Sequence, residues 1–289
     1  MRVTLPLMYG TTNRDILRKQ ENISRLSRDI SSGVRLHNPH DDPSAWARSL
    51  DVQQVLQRME RYRNNMDFAM GMLAVADSGL NHAHDLLVRA KEIGMAANTP
   101  NSAEEKTAYV EELGQILEEL ALTVSEEYNG QSVFGGTPTW NEAAETWEWT
   151  SSRPEDDPLK LPLGNGTDGM TLPCDLSQTI PDVMNALESL KTSIQSDDTQ
   201  GIDTALVDLE DALENLRALS ATVGTRMSGL ERRRDALDAL TTDRQQTLSD
   251  LRDTDLLDAV SRLQSHQIAL EAALKSTLVL KDLSLVRYL

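Results

Sequence analysis

Between Pro43 and Pro100 the chain contains no proline, and apolar residues recur there at helical spacing. Val52, Leu56, Met59, Met66, Met70, Leu73, Leu80 and Leu87 follow at intervals of three, four and seven, which keeps them on one face of an α-helix. An unbroken helix of that length extends about 80 Å at 1.5 Å per residue. Such a helix draws its stability from what packs along its apolar face, so the rest of the chain is expected to supply its partners.

The start of this helix is sharply written. Ile30-Ser31-Ser32-Gly33-Val34-Arg35-Leu36-His37-Asn38-Pro39-His40-Asp41-Asp42-Pro43-Ser44-Ala45 stops one helix and begins the next. Gly33 stands where a helix C-terminus places its left-handed residue, a conformation that costs glycine no Cβ clash. Pro39 biases Asn38 towards extended backbone. Asp42 reads as an N-cap and Pro43 as the first helical residue, where a missing N–H is harmless. Ahead of this break, residues 12–31 read as an amphipathic helix. Ile16, Ile23 and Ile30 lie seven apart and Leu26 takes the partner position, with Lys19 interrupting the seam. The stripe is too thin for the helix to stand alone, so the pattern predicts a partner for it.

Asn98-Thr99-Pro100-Asn101-Ser102 is a turn, and Ser102 with Glu105 forms a capping-box pattern. A third helix follows, with Val110, Leu113, Leu117, Leu120 and Val124 alternating three and four apart. Composition shifts near Tyr128. Asn129-Gly130 signals a turn, and Val133-Phe134-Gly135-Gly136 reads as a short strand ending in a bend. Pro138, Pro154, Pro158, Pro162 and Pro173 crowd the next stretch, with Trp140, Trp147 and Trp149. Trp147 and Trp149 alternate with Glu148, as on one face of a strand. Residues 136–180 are therefore expected to form a β-rich insert with a small aromatic core of its own.

Helix resumes near Pro181-Asp182 and breaks at Ser196-Asp197-Asp198-Thr199. The segment 202–251 then carries a near-continuous seam: Leu206, Leu209, Leu213, Leu216, Val223, Met227, Leu230 and Leu237. Asp253-Thr254-Asp255 breaks it again. The last helix has Leu256, Val260, Leu263, Leu270 and Leu274 in register, then an apolar end including Leu278, Leu283, Leu285, Tyr288 and Leu289. The two chain ends mirror each other, each a thin amphipathic helix set off by a break from a longer one. The expected fold is mainly α: an elongated helical bundle and coiled coil built from the N- and C-terminal segments, with the β-rich insert at its tip. The expected domains are 1–42 with 254–289 as a terminal assembly domain, 43–135 with 181–253 as a helical bundle, and 136–180 as the insert. Ile16, Ile23, Leu26, Ile30, Leu263, Leu270, Leu274, Leu278, Leu283, Leu285, Tyr288 and Leu289 are the candidate assembly interface, with Gly33, Asp42 and Pro43 as its hinge and caps. An apolar C-terminus on an acidic chain looks made for other subunits.

Composition bounds the function. Only 4% of residues are aromatic, too few for a large globular core, whereas helices sharing aliphatic seams need fewer bulky side chains. The formal net charge of −18 argues against a nucleic-acid or anionic-membrane binder. No run of 18 apolar residues exists, so no transmembrane helix is expected. The N-terminal sequence lacks the apolar segment and small-residue site of a cleaved signal peptide, so export, if it occurs, is expected to use another route.

The opening motif, Ile-Ser-Ser-Gly-x-Arg-Leu followed by Asn-Pro-x-Asp-Asp-Pro-x-Ala over residues 30–45, resembles the N-terminal signature of the bacterial flagellin superfamily. Tyr128-Asn129-Gly130-Gln131-Ser132-Val133-Phe134-Gly135-Gly136 is similar to the segment where that family leaves its helices for β structure. Val223-Gly224-Thr225-Arg226-Met227 resembles its later bundle helix, with Met227 where the family usually has Asn. Asp253-Thr254-Asp255 resembles the break before its last helix. Trp46 stands at a position the family usually keeps small. The resemblance covers roughly residues 1–136 and 200–289. The chain ends, Met1-Arg2-Val3-Thr4 with Tyr9 and Leu283-Ser284-Leu285-Val286-Arg287-Tyr288-Leu289, look more like the hook–filament junction branch than like filament subunits. The resemblance implies a structural adaptor with no catalysis and no cofactor. It further implies self-association in a ring, hook-associated protein 1 and flagellin as neighbours, an export chaperone, passage through the type III export apparatus, and an extracellular place on the flagellum. Its terminal helices would fold on assembly. A filament subunit and a cytoplasmic coiled-coil scaffold are the alternatives.

An enzyme finds little support in the residues. His37 and His40 flank Asn-Pro beside Asp41 and Asp42, a weak metal pattern. His82 and His84 are two apart on a helix and diverge. There is no His-Glu-x-x-His, no Gly-x-Ser-x-Gly and no phosphate-binding glycine loop. Cys174, the one cysteine, has no histidine within forty residues of it in sequence, so it makes a poor nucleophile.

Overall fold

The computed structural model describes residues 5–99, 102–152, 159–164, 170–172 and 179–286. Among these the chain is mainly α, with helices α1 Leu5–Ser32, α2 Pro43–Ala97, α3 Ala103–Val124, α4 Thr179–Gln195, α5 Thr199–Arg252 and α6 Leu256–Val286. α1 starts well ahead of residue 12, where the apolar periodicity begins. Pro6 is tolerated there because first-turn N–H groups have no intrahelical acceptor. Among the described residues, no helix is long and apolar enough to cross a membrane.

The chain divides into two compact units, Met1–Gln57 with Leu240–Leu289, and Arg58–Ala239. The second unit holds the main hydrophobic core. α2 contributes Met66, Leu73, Leu80 and Leu87, and between them Ala69, Met72, Ala76, Ala83 and Ala90, so its buried face is wider than one stripe. Leu113, Leu117, Leu120 and Val124 of α3 pack with Val183, Leu187 and Leu190 of α4 and Leu209, Leu213, Leu216, Val223 and Leu230 of α5. Small residues let the helices close up. A Cβ built on Gly94 would sit 2.7 Å from Leu206 Cδ2 and 3.2 Å from both Leu190 methyls. The α3 N-terminus carries the full capping box: Ser102 Oγ accepts from Glu105 N–H, and Glu105 Oε2 accepts from Ser102 N–H.

Three two-stranded antiparallel sheets lie between α3 and α4: β1 Glu127–Tyr128 with β2 Gln131–Ser132, β3 Gly136–Asn141 with β4 Thr146–Ser151, and β5 Leu159–Leu161 with β6 Met170–Leu172. Asn129 and Gly130, both at positive φ, make the tight β1–β2 turn. Val133 and Phe134 are bends rather than the expected strand. Both are buried, and Phe134 reaches Gly79 of α2, where a Cβ would stand 3.1 Å from its ring. The apolar content of that segment fills the helical core instead of a sheet.

Trp140 pairs with Trp147 and Pro138 with Trp149 across β3–β4, so all three tryptophans share one face, and Trp140 and Trp147 meet edge to face at 5.5 Å. That face does not make a separate core. Trp147, Trp149, Leu161 and Met170 pack against the helical core. Asn185 of α4 secures the hairpin: its Oδ1 accepts the Trp147 N–H at 2.7 Å and its Nδ2 donates to the Trp147 carbonyl at 3.3 Å. An amide side chain thus imitates a neighbouring strand and occupies the open edge of β4, while Pro138 blunts β3.

Candidate functional site

The first unit is where the sequence places its assembly residues. α1 packs along α6. The end of α1 and the start of α6 meet at an antiparallel bridge between Val34 and Asp253, so the two helices run antiparallel. Around the bridge the two chain breaks are clasped. Thr254 N–H donates to the Gly33 carbonyl at 2.9 Å, and Arg35 N–H donates to the Arg252 carbonyl at 2.8 Å. The Arg35 guanidinium donates to the Leu251 carbonyl at 2.7 Å, placing a cation on the last carbonyls of α5. Gly33 has φ +71°, the left-handed conformation that lets α1 stop and the chain turn into the clasp.

Each helix leaving the clasp is capped. Asp42 Oδ1 accepts the N–H groups of Ser44 and Ala45 at 3.1 and 2.9 Å, with Pro43 as the first helical residue. Asp255 Oδ1 does the same for Leu257 and Asp258 at the start of α6. Between Gly33 and Pro43, Asp41 Oδ2 accepts the N–H groups of Asn38 and His37 at 2.8 and 3.0 Å. Chiefly the Asn38 N–H, and also the His37 N–H and the nearby imidazoles, hold the Asp41 carboxyl below its ordinary 3.8, against a smaller opposing effect of burial.

One buried polar contact of the unit is Asp29–His37. Asp29 is only 8% exposed, and its Oδ1 lies 3.0 Å from His37 Nε2. The pair ties the loop to the last turns of α1. Arg35 stands in the opening motif, whereas Asp29 carries only a faint sequence signal, an aspartate three residues after Leu26 on the apolar side of α1. His37 and Asp41 are thus engaged in loop structure, and among the described residues no group of three His, Cys, Asp or Glu is arranged to hold a metal ion.

The unit buries little. Among its described apolar side chains, only Leu36, Ala45 and Ala259 are fully buried. Ile16, Ile23, Leu26 and Ile30 of α1 are half-buried, as are Leu263 and Leu270 of α6. The half-buried side of α6 runs Ala259, Leu263, His266, Leu270, Ala273, Thr277. Leu274 and Leu278, 45% and 62% exposed, fall outside it with Leu256, Leu257, Val260 and Ile268. The chain therefore brings Ile16, Ile23, Leu26, Ile30, Leu263 and Leu270 to the α1–α6 side and, among the described residues, leaves Leu274 and Leu278 exposed. Leu283 and Leu285 belong to the backbone of α6, while Tyr288, Leu289 and Cys174 lie outside the described residues.

Two terminal helices joined by a clasp, with a helical core formed by the sequence that separates them in the chain, define a class. The helical region of the bacterial flagellin N-terminus matches residues 6–139, and that of the bacterial flagellin C-terminus matches residues 206–289. The chain belongs to the bacterial flagellin family. Within it, the chain is similar along its whole length to flagellar hook-associated protein 3 of Salmonella typhimurium, with 25% identity over 99% of this chain and 98% of that protein. The Escherichia coli protein of the same name is 24% identical over the same shares. A flagellin of Clostridium tyrobutyricum is 23% identical over only 45% of this chain and 35% of its own length. Among solved structures, FlgL of Bacillus cereus shares the fold with a TM-score of 0.57, at 18% identity over 68% of this chain and 98% of that one. A Vibrio parahaemolyticus protein described as a flagellar hook-associated protein has a TM-score of 0.63 at 15% identity, over 74% of this chain and 100% of that one.

Proposed function

We propose that this chain is a structural adaptor of the bacterial flagellum, joining hook to filament and acting without catalysis. The observation that carries the reading is the extent of similarity: hook-associated protein 3 relatives align over essentially the whole chain, insert included, whereas the flagellin relative aligns over less than half. On this reading the chain lies outside the cell at the hook–filament junction and self-associates in a ring. It contacts hook-associated protein 1 on one side and flagellin on the other. Before that it is held by an export chaperone and leaves through the type III apparatus without a cleaved signal.

The terminal unit supplies the means. The three fully buried apolar side chains among its described residues offset little of the entropy of ordering two long helices, so the unit is marginal by itself. The exposed leucines of α6 gain burial only against other subunits, which makes ordering of the ends and assembly one event. In this reading residues 1–42 with 254–289 are the assembly domain, 43–135 with 181–253 the bundle that spaces it, and 136–180 the outward insert.

A chromosomal deletion tests the proposal, scored by electron microscopy and by flagellin in the medium. Bare hooks with soluble flagellin in the supernatant are expected. Bare hooks with no flagellin produced would make the chain the filament subunit instead, and normal flagella would overturn the adaptor role.

A further inference from the structure

The helical unit pairs many of its charges internally. Arg89 bonds Glu92 and Glu112, Lys91 bonds Glu210, Lys106 bonds Asp197, Lys191 bonds Glu188, and Arg234 lies 3.4 Å from Asp67. Two grooves of the same unit break this pattern. One lies on α2 beside the insert and is lined by Arg58, Arg61, Tyr62, Asn64, Asn65 and Pro162. Asn65 Nδ2 donates to the Pro162 carbonyl at 2.8 Å and fixes the wall of the groove. Arg58 and Arg61 are exposed one turn apart, and among the described residues no carboxylate lies within 4.0 Å of either. The other groove runs between α4 and α5 and carries Asp182, Asp208 and Asp211 around Asn185, Ser189 and Asn215. Its three carboxylates are exposed, and among the described residues no cation lies within 4.0 Å of them.

Among the described residues neither group has a counter-charge, and like charges gathered in this way cost stability unless something else compensates them. The two grooves are complementary in sign, yet they cannot meet within one copy. The Lys91–Glu210 bond sets Asp208 and Asp211 level with residue 91 of α2, about 50 Å along that helix from Arg58 at 1.5 Å per residue. Two different, mutually complementary patches on one chain are what a heterologous contact requires, and repeated heterologous contacts close into rings or extend into filaments.

We propose that the Arg58–Arg61 groove of one copy docks on the Asp182–Asp208–Asp211 groove of the next, a salt-sensitive lateral contact between helical units. This rests on the assembly reading above and adds a second interface to the terminal helices. Guanidinium groups suit the task because they bind carboxylates through two parallel N–H donors. Charges exposed in the free protomer would steer encounter and set register before the terminal helices order.

The test uses the full chain in sedimentation velocity, across protein concentration and at low and high salt. Wild type is expected to self-associate at low salt and to dissociate at high salt. Arg58→Glu with Arg61→Glu, or Asp208→Lys with Asp211→Lys, is expected to weaken association at least about tenfold with circular dichroism unchanged. An equimolar mixture of the two reversed proteins is expected to recover association, because each retains the groove the other lacks. No self-association of wild type at low salt, or association indifferent to both reversals, would overturn the contact. Retention of wild type on polyglutamate without self-association would also overturn it, pointing to a different acidic partner. Chromosomal strains separate this from the adaptor reading. Normal flagella in the deletion strain would remove that reading. Bare hooks in the deletion, with normal filaments on cells carrying the Arg58→Glu, Arg61→Glu protein, would remove the lateral contact alone.

Discussion

The Thr254 N–H donates to the Gly33 carbonyl over 2.9 Å, joining the two breaks of the chain across nearly its whole sequence. The Arg35 guanidinium reinforces the junction at the Leu251 carbonyl. One clasp therefore serves both terminal helices. Arg35→Ala is expected to cost about 0.5–1.5 kcal/mol, the range for a lost hydrogen bond plus a cation at a helix C-terminus. Amide exchange should quicken in α1 and α6 together, and Arg35→Lys should recover part of the protection. Faster exchange in α1 alone would mean that the clasp does not couple the two ends.

Asn185 bonds both backbone groups of Trp147 and is the main polar tie between hairpin and helix. Asn185→Ala leaves a half-buried N–H without its acceptor and is expected to cost about 1–3 kcal/mol. Asn185→Asp keeps the acceptor but turns a carboxylate oxygen towards the Trp147 carbonyl and adds a charge beside Asp182, Asp208 and Asp211, so it should cost at least as much as the alanine variant. Tryptophan fluorescence follows the hairpin directly, since Trp140 and Trp147 lie on it. A red shift in the alanine variant at temperatures where helicity persists is the expected result. Simultaneous loss of both signals would show that hairpin and bundle unfold as one.

How much of this was readable in sequence depends on how local each interaction is. The Ser102–Glu105 capping box and the turn at Asn129-Gly130 are set by residues within four positions, and their chemistry is written there. Helix existence followed from periodicity, but the width of the buried face of α2 did not. Ala69, Ala76 and Ala83 are poor hydrophobic markers and become core only because neighbouring helices approach closely. Val133 and Phe134 looked like a strand because apolar runs of that length are ambiguous; contact with Gly79, more than fifty positions earlier, decided it. The clasp and the Asn185 tie are long-range polar contacts, and no local pattern encodes them. In the terminal unit the apolar periodicity was legible. Which side of α6 faces α1 was not, because Leu263, Leu270, Leu274 and Leu278 are equally apolar and seven, four and four positions apart.

The glycines of the bundle divide by what a methyl group would meet. At Gly71 a Cβ would stand 2.2 Å from Tyr128 Oη, whereas at Gly114 nothing lies within 4 Å. Gly71→Ala should lower the melting temperature, because the Tyr128 ring must leave its place against Phe68, with which it now packs at a centroid distance of 5.4 Å. Gly114→Ala sits in the interior of α3 and should stabilise by up to about 1 kcal/mol. A Gly71→Ala melt at or above that of wild type would contradict the packing around Gly71.

Asp41 gives the hinge loop a dependence on acid. Its carboxyl is held below 3.8 mainly by the Asn38 N–H. A group whose pKa is depressed on folding contributes stability above its unfolded value and loses that contribution as pH falls through the folded value. The loop should therefore be unaffected near neutrality and loosen only below about pH 4. The amide proton shifts of Asn38 and His37 report this directly, and Asp41→Asn should abolish the acid step. A step that persists in Asp41→Asn would assign it to another group.

Leu274 and Leu278 separate assembly from folding. Both are exposed on α6, whereas Leu263 is half-buried on the side that faces α1. Leu274→Asp with Leu278→Asp replaces side chains that are 45% and 62% exposed, so the free chain should lose only about 1 kcal/mol, mostly in helix propensity. Leu263→Asp instead puts a carboxylate into the α1–α6 seam and should loosen both helices in the free chain. If the outer face is covered by other subunits, the double variant will be secreted yet fail to support filaments, because two charges would have to be buried at that contact. Secretion assays with electron microscopy distinguish the cases. Normal filaments on cells carrying the double variant would show that assembly does not use this face. A free chain as destabilised as Leu263→Asp would show that the face is already covered within the protomer.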